Sequence, residues 1–165
     1  EISRLPLETC QTMNRSWGYR ITDTDYKSTE FLIEYLVRTA AKGANLLLNV
    51  GPRPDGTIPE EAACRLREMG AWLTVNGESI YGTGAGEYEG DWGVSTSAGK
   101  STYLHVFDRG GGKITLPDGG RRLVKASLLE DGSPLAFRRS KGSFTLSLPE
   151  GGECTPDMVI KLEFK

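Results

Sequence analysis

The run NLLLNVGP, Asn45 to Pro52, constrains the fold of this chain more than any other stretch. Its apolar residues are continuous rather than alternating, the pattern of a strand buried on both faces of a parallel sheet. Parallel neighbours must be joined by a crossover of about a dozen residues or more, usually a helix. Helical patterns stand on both sides of the run. Upstream, Ser28 is placed to cap a helix through Lys42, with Glu30 in the first turn where the helix dipole favours an acid. Leu32, Tyr35, Leu36, Thr39 and Ala40 fall at helical spacing, and Gly43 suits the position after the C-cap. Downstream, Pro54–Gly56 makes a turn, and Thr57 and Glu60 have capping-box spacing around Pro59. The second helix runs through Trp72 with Ala62, Leu66, Met69 and Leu73 on one stripe, and Gly77 follows its end. With Ile2–Glu8 as a short strand, the order is strand, helix, strand, helix, the repeating unit of an α/β fold.

Two such units cannot cover both faces of so apolar a strand. A closed (β/α)₈ barrel takes about 250 residues, and residues 1–85 offer only its last two units. The remaining strands are expected from upstream sequence or another chain. The sequence opens on Glu1 with no signal peptide, and is read as the C-terminal part of a longer protein.

Residues 86–165 change character. Glycine-rich turns separate the runs STYLHVF, KITLP, LVKASLL, SFTLSLP and MVIKLEF, spaced and patterned like an antiparallel β-sandwich. The boundary falls near residues 82–88, inside GTGAGEYEG.

Charge and cysteine usage exclude several classes. A net charge of −2 and a pI of about 5.6 leave no basic footprint for nucleic acid or anionic lipid. No apolar run approaches the roughly 18 residues of a membrane span. Three widely spaced cysteines (Cys10, Cys64, Cys154) and a single histidine offer neither a zinc site nor a disulfide framework, and Cys64 reads as a small apolar packing residue.

Candidate chemistry gathers in LPLETCQTMNRSWGY, Leu5–Tyr19. Read as closing a strand, Glu8 would stand at a C-terminal strand end, where α/β barrels build their active sites. Beside leucines and a tryptophan its charged form loses solvation, which suits a general acid near neutral pH. The alternative is a salt-bridged strand-end residue. Trp17 and Tyr19 could line a sugar site, their rings packing on C–H faces, or could pack the loop. Asn49 and Gly51 end the second strand at the same mouth, where Asn49 either supports the site or satisfies loop backbone. Asp23 and Asp25 read as a solvated turn leading to a helix, with metal binding the minor alternative. DRGGGK, Asp108–Lys113, follows a strand but precedes another, so it reads as a hairpin turn rather than a phosphate loop. His105, inside a strand with no nucleophile signature nearby, reads as structural.

The stretches LPLETCQTMNRSWGYR and KGANLLLNVGPRPDGTIPEEAACRLREMGAWLTVNGESIYGT closely resemble the C-terminal portion of α-L-fucosidases of glycoside hydrolase family 29. The resemblance covers residues 1 to about 85; the remainder resembles the family's C-terminal β-sandwich in length and pattern. It implies a retaining exo-glycosidase that removes terminal α-L-fucose from fucosylated glycans, with no metal or organic cofactor. An aspartate nucleophile would form a covalent fucosyl-enzyme, its carboxyl about 5–5.5 Å from the acid/base. Glu8 matches the acid/base of members with this LETC-type motif, and Trp17 an aromatic beside the methyl group of fucose. The nucleophile and the histidines that grip the sugar belong to earlier strands absent from this sequence, so the isolated chain is expected to be inactive. The resemblance also implies an exported or periplasmic setting. The competing reading is a stand-alone carbohydrate-binding or structural sandwich, with Tyr88, Trp92 and Tyr103 stacking on sugars or packing between sheets.

Overall fold

A computed structural model describes residues 5–149 and 156–165. The first half runs β1 (Leu7–Thr12), α1 (Thr29–Ala41), β2 (Ala44–Asn49) and α2 (Glu60–Asn76), ending in a short 3₁₀ turn at Gly77–Ser79. β1 and β2 pair in parallel, Leu7 opposite Ala44 through Thr12 opposite Asn49. α1 starts as the sequence indicates: the Phe31 amide donates to Ser28 Oγ at 3.2 Å. Glu34 and Arg38 then pair one turn apart.

α2 departs from expectation at its start and along its face, while Gly77 follows its end as expected. The Thr57 hydroxyl donates to Asp55 Oδ1 at 2.7 Å, as does its amide at 2.9 Å, so no capping box forms and Pro59 is the N-cap. The aspartate offers an acceptor two residues away, closer to hand than the helix amides. The helix continues past Trp72 to Asn76. Its buried line is Ala62, Met69, Trp72 and Asn76, with Leu66 exposed. Cys64 is half-buried and its thiol donates to Glu68 rather than packing as an apolar group.

Among the described residues the second half holds eight strands: β3 (Gly84–Gly90), β4 (Gly93–Ala98), β5 (Ser101–Val106), β6 (Lys113–Pro117), β7 (Leu123–Leu128), β8 (Phe137–Ser140), β9 (Ser143–Ser147) and β10 (Met158–Phe164). They form an antiparallel sandwich of a five-stranded sheet, β3-β4-β5-β10-β7, on a three-stranded sheet, β6-β9-β8. GTGAGEYEG, read as holding the boundary between the two halves, is largely strand β3. The DRGGGK turn joins β5 to β6, which lie in different sheets, so it carries the chain across the sandwich instead of closing a hairpin. Within it the Gly110 amide donates to Asp108 Oδ1.

The layers run β1–β2, helices, five-stranded sheet, three-stranded sheet. Leu104, Ile114, Leu116, Phe144, Leu146, Ile160 and Leu162 fill the space between the two sheets of the sandwich. A second core joins Leu32, Ile33, Val37, Met69 and Trp72 of the helices to Val94, Tyr103 and Val159 of the five-stranded sheet, with Leu48 and Val50 packed against it. α1 is therefore enclosed from two sides, which is why Ile33 and Val37, off the expected stripe, are buried. The five-stranded sheet is likewise covered on both faces.

A polar seam fastens the 3₁₀ turn to the sandwich. Glu78 accepts the Tyr103 hydroxyl at 2.7 Å and pairs with Lys161. One residue on, the Ser79 carbonyl accepts the Thr96 hydroxyl at 2.6 Å, and Thr96 Oγ1 lies 3.2 Å from His105 Nε2. His105 is wholly buried in this structural network, as its strand position suggested.

The run at Asn45–Pro52 is not covered on both faces. Leu46 and Leu48 are partly buried on the helix side, while Leu47 between them is 43% exposed. The helices supply one cover; no element of the described residues supplies the other.

Candidate functional site

The register of β1 and β2 brings their C-terminal ends together at Thr12 and Asn49, and the ladder extends one residue further through the Met13 amide to the Asn49 carbonyl at 3.2 Å. From there residues 13–28 form a long loop whose base is held tightly. Met13 and Asn14 are buried. The Lys27 amide donates to the Met13 carbonyl at 2.8 Å, its ammonium to the Asn14 carbonyl at 2.8 Å and to Thr12 Oγ1 at 3.3 Å. Arg65 of α2 in turn donates to the Lys27 carbonyl at 3.0 Å. Lys27 and Arg65 are absent from the sequence reading; a lysine just before a helix cap is the one local sign of this role.

The tip of the loop carries Trp17, 55% exposed, with Tyr19 half-buried behind it. Asn49 reaches across from β2 and donates through Nδ2 to the Trp17 carbonyl at 2.7 Å. It serves loop backbone, one of the two roles open to it. Arg15 pairs with Asp25 at 2.6 Å, and its amide donates to Asp23 Oδ2, so both aspartates brace an exposed turn. Arg15, Arg20, Thr22, Asp23, Thr24 and Asp25 line a polar cleft of about 470 Å³ on the same loop.

Glu8 is not at this mouth. β1 begins at Leu7 and ends at Thr12, so Glu8 is its second residue, opposite Asn45 and four residues before the strand end. At about 3.3 Å per residue that is roughly 13 Å from the loop side. Pairing with β2 draws the polar segment Thr9–Thr12 into the strand, which shifts the end. Thr9 faces α1, its hydroxyl 3.2 Å from that of Tyr35. Strand alternation therefore turns Glu8 and Cys10 to the uncovered face, where both are exposed. Among the described residues Glu8 makes no ion pair, so the salt-bridge reading has no support. The structure brings Trp17, Tyr19, Asn49 and Gly51 together and leaves Glu8 apart from them.

The aromatic side chains considered for sugar stacking on the sandwich are occupied by packing. Tyr88 is 5% and Tyr103 3% exposed, and Trp92 is packed against the intersheet core. The Arg121 guanidinium lies 4.0 Å from the Phe164 ring centroid and donates to the Tyr88 hydroxyl at 3.0 Å, closing that region further. Among the described residues no cluster of three or more His, Cys, Asp or Glu is arranged to hold a metal.

Residues 1–78 match the family model described as Alpha-L-fucosidase. The plasma α-L-fucosidase of Rattus norvegicus is 40% identical over 149 residues, covering 82% of this chain and 32% of that protein. An α-L-fucosidase of Dictyostelium discoideum is 36% identical over 156 residues, covering 86% and 34%. Among solved structures, α-L-fucosidase isoenzyme 1 from Paenibacillus thiaminolyticus superposes with a TM-score of 0.90 at 36% identity, over 98% of this chain and 40% of that one. Its likeness over nearly the whole chain includes the antiparallel sandwich. The chain spans about a third of the length of these curated relatives, and it belongs to the α-L-fucosidase family.

Proposed function

We propose that this chain forms the last two β-α units, residues 1–85, and the C-terminal β-sandwich, residues 86–165, of a retaining α-L-fucosidase. The enzyme would release terminal α-L-fucose from fucosylated glycans. The observation that carries this is the uncovered face of the β1–β2 pair beside the Trp17 loop. Two parallel strands with helices on one side and Leu47, Cys10 and Glu8 bare on the other are what an arc cut from a barrel wall would present, which supports this reading. The loop at their C-terminal ends stands where barrel enzymes bind substrate.

Trp17 is proposed to line the fucose site, its indole forming an apolar wall for the sugar methyl. Glu8 is proposed as the acid/base, and the nucleophile as a carboxylate from a strand other than β1 and β2. The resemblance supports the Glu8 assignment, while its place early in β1 sets a demanding test. In the full-length enzyme, Glu8→Ala should slow fucosides with poor leaving groups far more than activated aryl fucosides, since a good leaving group needs little protonation. Equal slowing of both removes Glu8 from the acid role. The 165-residue chain by itself should turn over no aryl α-L-fucoside; Glu8-dependent turnover by it would overturn the need for further strands.

A further inference from the structure

We infer that Asn49 and Gly51 are positioning residues for Trp17, acting through the backbone of its loop, an inference that rests on the proposal that Trp17 walls the sugar methyl. Among the described residues nothing hydrogen-bonds the indole nitrogen, and more than half of the side chain is solvent-exposed. With no hydrogen bond of its own among the described residues and more than half its surface open, the ring depends heavily on its backbone for its placement. Two fixtures hold that backbone, and both come from the end of β2. Asn49 Nδ2 donates to the Trp17 carbonyl at 2.7 Å. Two residues later, Gly51 lies so close to the next peptide that a Cβ on it would sit 2.9 Å from the Tyr19 amide nitrogen and 3.0 Å from the Gly18 carbonyl carbon. Backbone atoms cannot swing aside as a side chain would, so any larger residue at 51 pushes the Gly18–Tyr19 peptide away.

One fixture pulls the loop in and the other lets it come close. β2 itself is anchored through Leu48 and Val50 to the helix core, so the pair transfers the rigidity of the scaffold to an exposed ring. Neither residue touches substrate in this account. Asn49 and Gly51 set the distance of the indole from the sugar, and hence how strongly the site prefers CH₃ to CH₂OH.

The test compares an aryl α-L-fucoside with the aryl α-L-galactoside, which differ only in that group, in the full-length enzyme. An apolar wall rejects an added hydroxyl by about 10²-fold at most. Trp17→Ala should cut the kcat/KM ratio by about tenfold. Asn49→Ala and Gly51→Ala should each cut it several-fold, and neither should cut it further when combined with Trp17→Ala. A defect of folding or of catalysis in general would lower both rates alike and leave the ratio unmoved; thermal unfolding of each variant reads that effect separately. A ratio that falls in Trp17→Ala but not in Asn49→Ala or Gly51→Ala overturns the positioning role and spares the role of Trp17. A ratio unchanged in Trp17→Ala sinks the wall itself, and the positioning role with it.

Discussion

His105 Nδ1 and Asp157 Oδ2 are 2.6 Å apart, and both side chains are entirely excluded from solvent. On the other side of the ring Nε2 meets Thr96, whose hydroxyl proton goes to the Ser79 carbonyl. The chain Asp157–His105–Thr96–Ser79 thus crosses from β10's leading end, through β5 and β4, to the turn that closes α2. Each ring nitrogen has a partner, as a buried imidazole requires. Removing one partner leaves the other buried and unsatisfied. Asp157→Ala is therefore expected to destabilise the fold by about 3 kcal/mol. Chemical denaturation reads this directly, and a loss within experimental scatter would show that the network contributes little.

Tyr103 and Glu78 form the second polar crossing of the same seam, and it should respond to pH at both extremes. Burial, helped by the hydrogen bond to Glu78, pushes the Tyr103 phenol up to about 12 from its ordinary value near 10. A raised pKa means the fold favours the protonated phenol. Its stabilising effect is whole below pH 10 and is lost as pH climbs from 10 through about 12. The hydrogen bonds from Lys161 and Tyr103 hold Glu78 below the usual carboxylate value. That contribution is present above the usual value and fades as pH falls through the lowered one; the side chain is half-exposed, so the effect is small. Urea midpoints measured across pH should show an alkaline decline that Tyr103→Phe flattens. An identical alkaline limb in the variant would assign the decline to other groups.

Gly93 opens β4 with φ at 147°, a conformation that side chains rarely adopt. It also packs against β5, where a Cβ would collide with the His105 carbonyl oxygen. Both strands lie inside a sheet covered on each face, so neither can retreat. Gly93→Ala should cost more than about 3 kcal/mol or prevent soluble expression. A variant with unaltered melting would mean that the β4–β5 pairing tolerates displacement.

Much of this architecture is legible in the residues, and the failures share a cause. Ser28 caps α1 through its own hydroxyl and needs nothing distant, so the local pattern suffices. Five of the eight sandwich strands alternate strongly enough to be read, whereas β3, β4 and β8 are glycine-, serine- or arginine-rich and are strands because their neighbours pair with them. The same holds for Thr9–Thr12, a polar segment made into strand by β2. Thr57 had the right spacing for a capping box, but Asp55 competes for it. Tyr88 and Tyr103 left sugar stacking and packing both open, and burial decides for packing, Tyr88 between the two sheets and Tyr103 in the core under the helices. At the site, Trp17 and Asn49 are legible as neighbours because Trp17 follows one strand of a parallel pair and Asn49 ends the other. The 13 Å or so between Glu8 and the mouth is not, since it depends on where β1 ends.

Leu47 separates a finished sheet from an unfinished one. It lies on the face of β2 away from the helices, beside Cys10 of β1, and is 43% exposed. If other strands complete a barrel, this side chain becomes interior, and fully burying a leucine is worth about 1.5–3 kcal/mol. Leu47→Ser should then destabilise the full-length enzyme by about 2 kcal/mol or more, a hydroxyl being poor barrel filling. In the 165-residue chain the same change should stay within about 0.5 kcal/mol, as for an exposed site. The contrast between the two is the measurement, taken from thermal unfolding of each pair. Equal and small effects in both would mean that the face stays open in the larger protein, and the barrel reading would fall; a large effect in the short chain would mean that a second copy already covers it.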